Sequence, residues 1–125
     1  MIIGIPRETV PNESRIPLLP EEVKQLTSDF ISFQMEAGAG IGAFCSDKSY
    51  EEAGAIVTSN IHEKSEIIIK INPPSDNEIE KIKEGSCLIS LINPFINHDV
   101  VKKLAKKQIS TFCLELIPRS TYAQS

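Results

Sequence analysis

Residues 67–82 read Ile67-Ile68-Ile69-Lys70-Ile71-Asn72-Pro73-Pro74-Ser75-Asp76-Asn77-Glu78-Ile79-Glu80-Lys81-Ile82, and the reading of this stretch decides the fold. Its first five residues make an apolar run of strand length, almost continuous except for Lys70, as expected for a strand covered on both faces. The two prolines stop it, since each lacks a backbone donor and holds φ fixed. Ser75 and Glu78 then stand at capping-box spacing, and Ile79 and Ile82 fall on one helical face ahead of Gly85. A strand, a tight turn and a capped helix in succession form the repeating unit of an α/β sheet.

The same alternation extends in both directions. Further strand candidates are Ile2–Ile5, Ile31–Glu36, Cys87–Leu91 and Thr111–Leu116, and Phe33-Gln34-Met35 alternates enough to lie nearer an edge. Pro20 suits a first helical position, with Glu21 and Glu22 in the turn where the helix dipole favours acids. Ser46 or Asp47 can cap a helix that Gly54 stops, and Asn97 or Asp99 can cap one carrying Val100, Val101 and Leu104. A short helical turn is expected around Thr58–Lys64. The expectation is one domain, residues 1–125, with a flavodoxin-like open, mostly parallel sheet and helices on both faces. In such sheets functional groups gather at the carboxyl ends of the strands.

Composition removes several classes of function. Thirteen basic against seventeen acidic side chains give a net charge of −4, which argues against a nucleic-acid surface. The one basic cluster, Lys102, Lys103, Lys106 and Lys107, reads as the wet face of a helix. Cys45, Cys87 and Cys113 are too scattered for a zinc site or a disulfide framework, which suggests a reducing compartment. Cys87 and Cys113 sit in apolar runs and read as small core residues. No run approaches the about 18 apolar residues of a membrane span, and the first residues show no signal-peptide pattern.

Candidate functional residues follow from placement. Arg15 lies in a polar loop after the first strand, where a guanidinium could grip a carboxylate in bidentate fashion, although the residue type alone favours ordinary solvation. Lys70 must reach water, a carboxylate or a ligand, because an unpaired buried ammonium is costly. A site at the strand end and a plain edge-strand lysine both satisfy that requirement. Asn93 follows the Cys87–Leu91 strand and can position a substrate but is a poor proton-transfer group. His62 and His98 read as surface residues, so neither histidine catalysis nor a metal site is expected. Gly38-Ala39-Gly40-Ile41-Gly42-Ala43 matches the dinucleotide pattern letter for letter. It is set aside, because the next helix opens only at Ser46 or Asp47 and no acid ends a second strand about 20 residues on.

Several of these stretches together resemble a known family. Ile3-Gly4-Ile5-Pro6-Arg7-Glu8 with Asn12-Glu13-Ser14-Arg15, Glu36-Ala37-Gly38-Ala39-Gly40, Tyr50-Glu51-Glu52-Ala53-Gly54-Ala55 and Ile69-Lys70-Ile71-Asn72-Pro73-Pro74 are similar to the N-terminal region shared by alanine dehydrogenases and the NAD-binding α subunit of proton-translocating nicotinamide nucleotide transhydrogenases. Pro118-Arg119 and Ala123-Gln124-Ser125 resemble the transhydrogenase stretch beside the nicotinamide. The resemblance therefore gives Arg119 and Gln124 a place next to NAD(H). It also places Arg15 and Lys70 where alanine dehydrogenases hold the substrate carboxylate, and Asn93 where those enzymes carry a catalytic histidine.

The resemblance implies hydride transfer between NADH and NADP⁺, with NADP(H) on a partner subunit. The implied setting is a homodimer that joins membrane and NADP-binding subunits at the cytoplasmic face of an inner membrane, without inserting itself. It also implies that a Rossmann domain follows in the full protein, making this chain a fragment. An alanine dehydrogenase, or another amino-acid dehydrogenase, is the enzyme alternative. A non-catalytic oligomerisation domain is the alternative of a different class.

Overall fold

Six strands form one sheet in the computed structural model, which describes residues 1–114. They are β1 (Ile2–Ile5), β2 (Ser32–Glu36), β3 (Ile56–Thr58), β4 (Ile67–Ile69), β5 (Cys87–Ser90) and β6 (Ser110–Cys113). Every neighbouring pair is parallel, in the order β3-β2-β1-β4-β5-β6. All five strands read from the apolar runs are present, and β2 lies next to the edge as its alternation suggested. Strand β3 is the addition. Setting it aside leaves the flavodoxin-like order, and β3 extends that sheet beyond β2. The helical turn expected around Thr58–Lys64 is present over Ile61–Lys64, with a later start. Thr58 ends an edge strand too short to show a period, and the helix begins only at Ile61, after Asn60 at φ 58°.

Five helices connect the strands: α1 (Pro20–Leu26), α2 (Asp47–Glu52), α3 (Ile61–Lys64), α4 (Asp76–Lys81) and α5 (His98–Lys106). Pro20 opens α1, Ser46 caps α2 by accepting the Ser49 N–H, and Ser75 with Glu78 forms the capping box of α4. Asn97 precedes α5 without a side-chain cap; its amide instead donates to the Ile92 carbonyl at 2.6 Å. From β1 the chain winds outward to β3, then returns to β4 and winds the other way. Right-handed crossovers therefore place α1 and α2 on one face and α3, α4 and α5 on the other. The helix contacts, α1 with α2, α3 with α4 and α4 with α5, agree. The reversal leaves β1 and β4 adjacent, with their following loops diverging.

Register divides the core into two. Ile3 pairs with Phe33 and Ile5 with Met35, and these pack with Val23 and Tyr50 under α1 and α2. Ile68 and Leu88, one residue out of phase, pack with Ile79, Ile82 and Leu104 under α4 and α5. Lys102, Lys103 and Lys106 are exposed as expected, and two of the four lysines also tie α5 to α4. Lys103 pairs with Asp76 at 2.7 Å, and Lys107 donates to the Ile79 and Glu80 carbonyls at the end of α4. Cys87 and Cys113 are half-buried rather than fully buried, and Cys113 packs against the core under α4 and α5.

Gly4 lies on the α3 face of β1. A Cβ added there would stand 1.9 Å from Ser65 Oγ and 2.6 Å from Ile61 Cγ2. The short α3 thus sits directly on the strand, with no side chain between. Gly4→Ala is expected to lower stability by about 1–3 kcal/mol, the usual cost of forcing atoms into a filled space. Urea unfolding checks this; an unchanged midpoint would mean that α3 is not held against β1.

Candidate functional site

The buried ammonium at the end of β4 organises the site. Lys70 is 1% exposed, and its backbone N–H continues the ladder by donating to Ile89 O, so the edge-strand reading is ruled out. Alternation puts its side chain on the same face as Ile68, toward α4. There Nζ donates to the Asn72 carbonyl at 2.8 Å and to Glu8 Oε1 at 3.3 Å, and lies 3.8 Å from Glu78 Oε1. The charge is held between two acids from different elements.

Glu8, in the loop after β1, is nearly saturated with donors. Besides Lys70, it accepts the Ile71 N–H at 2.8 Å, the Asn72 N–H at 3.0 Å and the Asn72 side-chain amide at 3.3 Å. Asn72 donates onward to Glu13 Oε1 at 2.8 Å. Glu13 in turn grips Arg15 through both carboxylate oxygens, taking Nη2 at 2.8 Å and Nε at 3.0 Å, and accepts the Arg15 backbone N–H at 2.9 Å. Hydrogen bonds from the Arg15 side chain and backbone, and then from Asn72, hold the Glu13 carboxyl down to about 2. Arg15 itself is 60% exposed at the side chain. The two candidate cations are therefore joined through Glu13, Asn72 and Glu8 rather than standing free.

The network continues to a residue that the sequence reading placed at the surface. His62 is 9% exposed and its Nε2 lies 3.1 Å from Glu78 Oε2. The expectation of a surface residue is corrected: α3 packs tightly on Gly4, which brings His62 to the α4 cap. Burial pushes the Glu78 carboxyl up, but the His62 hydrogen bond, the Lys70 charge and the Ser75 amide outweigh it, leaving the group below its ordinary value. Glu78 was legible as a capping residue; its second role depends on 16 residues of separation closing in space. His98 is exposed, as expected.

A cleft of about 220 Å³ opens beside this network, walled by Arg7, Ser14 and Arg15 on one side and by Gly38 and Gly42 on the other. The glycine loop is no dinucleotide cradle. It closes into a 3-10 turn at Ile41–Ala43, and the Gly38 N–H is engaged by Asp47 Oδ1 at 2.9 Å. The loop thus offers no α-helix terminus for a pyrophosphate. A larger cleft of about 390 Å³ lies between α4 and α5, bordered by the lysines that tie those helices. Asn93 stands past the end of β5 at φ 50°, a left-handed conformation that asparagine tolerates well, and its carbonyl accepts the Ile96 and Asn97 amides. It lies apart from the walls of the 220 Å³ cleft. Arg119 and Gln124 lie outside the described residues. Among the described residues no cluster of three metal-ligating side chains occurs, and no helix is long and apolar enough to cross a membrane.

Comparison with known proteins agrees with this fold. The family described as alanine dehydrogenase/PNT, N-terminal domain, matches residues 4–125. The chain is 40% identical over its full length to the NAD(P) transhydrogenase subunit alpha of Haemophilus influenzae, of which it spans 25%. It is 34% identical to an NAD(P) transhydrogenase alpha subunit of Rhodospirillum rubrum, spanning 35% of that chain, and 30% identical to an alanine dehydrogenase of Methanococcus maripaludis, spanning 32% of it. Among solved structures, a transhydrogenase from Sinorhizobium meliloti superposes with a TM-score of 0.94 at 37% identity, covering 99% of this chain and 38% of that one. An L-alanine dehydrogenase superposes at 0.86 and 26% identity, covering 92% of this chain and 32% of that one. The chain therefore spans between a quarter and two-fifths of the length of the relatives it matches.

Two outcomes are expected from the network. Lys70→Met leaves Glu8 and Glu78 facing each other without their cation, and should lower stability by about 3–5 kcal/mol in urea unfolding. A loss under about 1 kcal/mol would show that the acids do not depend on Lys70. Because Glu13 is held near 2 against an ordinary 4.5, the unfolded chain binds a proton more readily than the folded one. Its contribution is complete above pH 4.5 and lost as pH falls toward 2. Glu13→Gln should flatten the stability profile in that window, and an unchanged acid limb would contradict the assignment.

Proposed function

This chain belongs to the alanine dehydrogenase/PNT N-terminal domain family, and from that premise we propose that it is part of the NAD(H)-binding subunit of a proton-translocating NAD(P) transhydrogenase. The observation that carries the choice within the family is the pairing of Arg15 and Lys70. In the alanine dehydrogenase reading these two cations hold the substrate carboxylate. Here Arg15 is gripped by Glu13 and Lys70 by Glu8 and Glu78. A ligand carboxylate would have to compete with Glu8 and Glu78 for Lys70, and with Glu13 for the edge of Arg15 that it holds. Asn93, at the place of the catalytic histidine, supplies no proton-transfer group either.

A transhydrogenase needs none of these functions from this chain. NAD(H) carries the hydride, and the protein contributes alignment of the two nicotinamides and exclusion of side reactions. In this proposal Gln124 orients the carboxamide of NAD(H), and Arg119 organises the stretch around it. Arg15, Lys70 and Asn93 are site-lining residues whose first task is to hold the loops after β1, β4 and β5. NADP(H) belongs to a partner subunit, and the membrane connection runs through partners at the cytoplasmic face. Phe44, Phe95 and Ile96, all more than 70% exposed, support work within an assembly, including a homodimer.

The test replaces the matching quarter of the Haemophilus influenzae subunit with this chain and measures hydride transfer from NADH to NADP⁺ in the assembled complex. Transfer is expected, without reductive amination of pyruvate by ammonia. Gln124→Ala should reduce the rate by about 10–100-fold through loss of alignment. Turnover of pyruvate with ammonia instead would overturn the reading and make Arg15 and Lys70 substrate ligands.

A further inference from the structure

We propose that the cleft between the loop after β1 and the glycine-bearing loop after β2 binds one small oxyanion, a phosphate group, through the Arg7 guanidinium. The argument is one of donors and acceptors, and it does not rest on the transhydrogenase reading. Of the charged side chains around this cleft, Arg15 is joined to Glu13, and Glu8 to Lys70. Arg7 alone has no carboxylate within ion-pair distance of its guanidinium among the described residues. Two further acids lie close by but are engaged by backbone. Glu36 Oε1 accepts the Arg7 backbone N–H at 2.8 Å, and Asp47 Oδ1 accepts the Gly38 N–H at 2.9 Å.

The position of the Arg7 side chain is set by packing. A Cβ placed on Gly38 would stand 3.7 Å from Arg7 Nη1 and 3.8 Å from its Cζ, so the guanidinium lies across the glycine, against the cleft wall. On the opposite side, a Cβ on Gly42 would approach Ser14 Cα to 2.9 Å. The two loops thus meet at Gly42 and Ser14, and this close approach gives the cleft its closed end. The carboxylates in the walls offer little to a cation. Glu8 accepts four hydrogen bonds and Glu13 four. The residues that line the cleft also bring donors that the acids do not use: the Arg7 fork, Arg15 Nη1 and the Ser14 hydroxyl. Arg7, whose planar fork is always charged and makes no ion pair among the described residues, is the group of this cleft that fits an oxyanion. The volume, about 220 Å³, is below the roughly 300–1,000 Å³ of sites for larger ligands and suits a single tetrahedral group.

The experiment titrates the chain with inorganic phosphate, and separately with AMP, at constant ionic strength maintained with chloride. The amide resonances of Ser14, Gly38 and Gly42 and the Arg7 Nε resonance are followed by NMR. Saturable shifts at these positions are expected, with affinity reduced by about tenfold or more in Arg7→Met and by less in Arg7→Lys, which keeps charge but loses the fork. Both variants should keep the wild-type spectrum elsewhere, since Arg7 is exposed. AMP binding tighter than phosphate at the same resonances assigns the group to a nucleotide; equal or weaker binding assigns it to a free anion. Shifts that grow linearly without saturation, or an affinity that Arg7→Met leaves unchanged, would overturn the proposal.

Discussion

The constraint on which the rest of this structure depends is the burial of one ammonium group. Lys70 is 1% exposed at the carboxyl end of an interior strand, where an unpaired charge would not be tolerated. Its neutralisation draws in Glu8 from the loop after β1, the Asn72 carbonyl from the loop after β4, and Glu78 from the first turn of α4. Each partner is itself fixed by backbone donors: Glu8 by Ile71 and Asn72, Glu78 by Ser75. Two loops and one helix are thereby locked to a single point. The loop after β1 then leads to Glu13 and Arg15 through the Asn72 side chain, so the geometry of the cleft is inherited from the same buried charge.

Saturation of the network has a chemical consequence. In a site that binds a carboxylate substrate, the binding cations are useful to the extent that their donors face the ligand. Here the acids of the chain engage them, through a run of polar groups from Arg15 through Glu13, Asn72, Glu8, Lys70 and Glu78 to His62. Such a run is rigid and well satisfied, and satisfied polar networks define one conformation rather than supplying reactive groups. That arrangement suits a subunit whose contribution to catalysis is positioning. It also leaves Arg7 as the charged side chain of the cleft without an ion pair among the described residues.

Much of the fold was legible in local pattern. The apolar runs at Ile2–Ile5, Ile67–Ile69 and Cys87–Ser90 and the caps at Ser46 and Ser75 carry their signal within a few residues, because burial and capping are short-range demands. Strand β3 was not legible: three residues at a sheet edge, with Ile56 half-exposed, are too few to display a period. The site divided in the same way. Lys70 declared itself by its apolar neighbours. His62 did not, since its partner lies on another helix and its burial follows from the close seating of α3 on Gly4. The dinucleotide-like glycine run was set aside on local grounds, and it holds only a single 3-10 turn, with the next α-helix opening at Asp47.

By itself, then, the sequence determined the alternation of strands and helices, the ends of most elements, and the need of Lys70 for a counter-charge, because propensity, capping and desolvation act on residues close in the chain. Only the tertiary structure decided which acids meet that need. It also decided the reversal of winding between β3 and β4, the arrival of His62 at Glu78, and the isolation of Arg7. Those features arise from contacts between segments up to 64 residues apart, and they exist only once parallel strands have aligned the loops at their carboxyl ends.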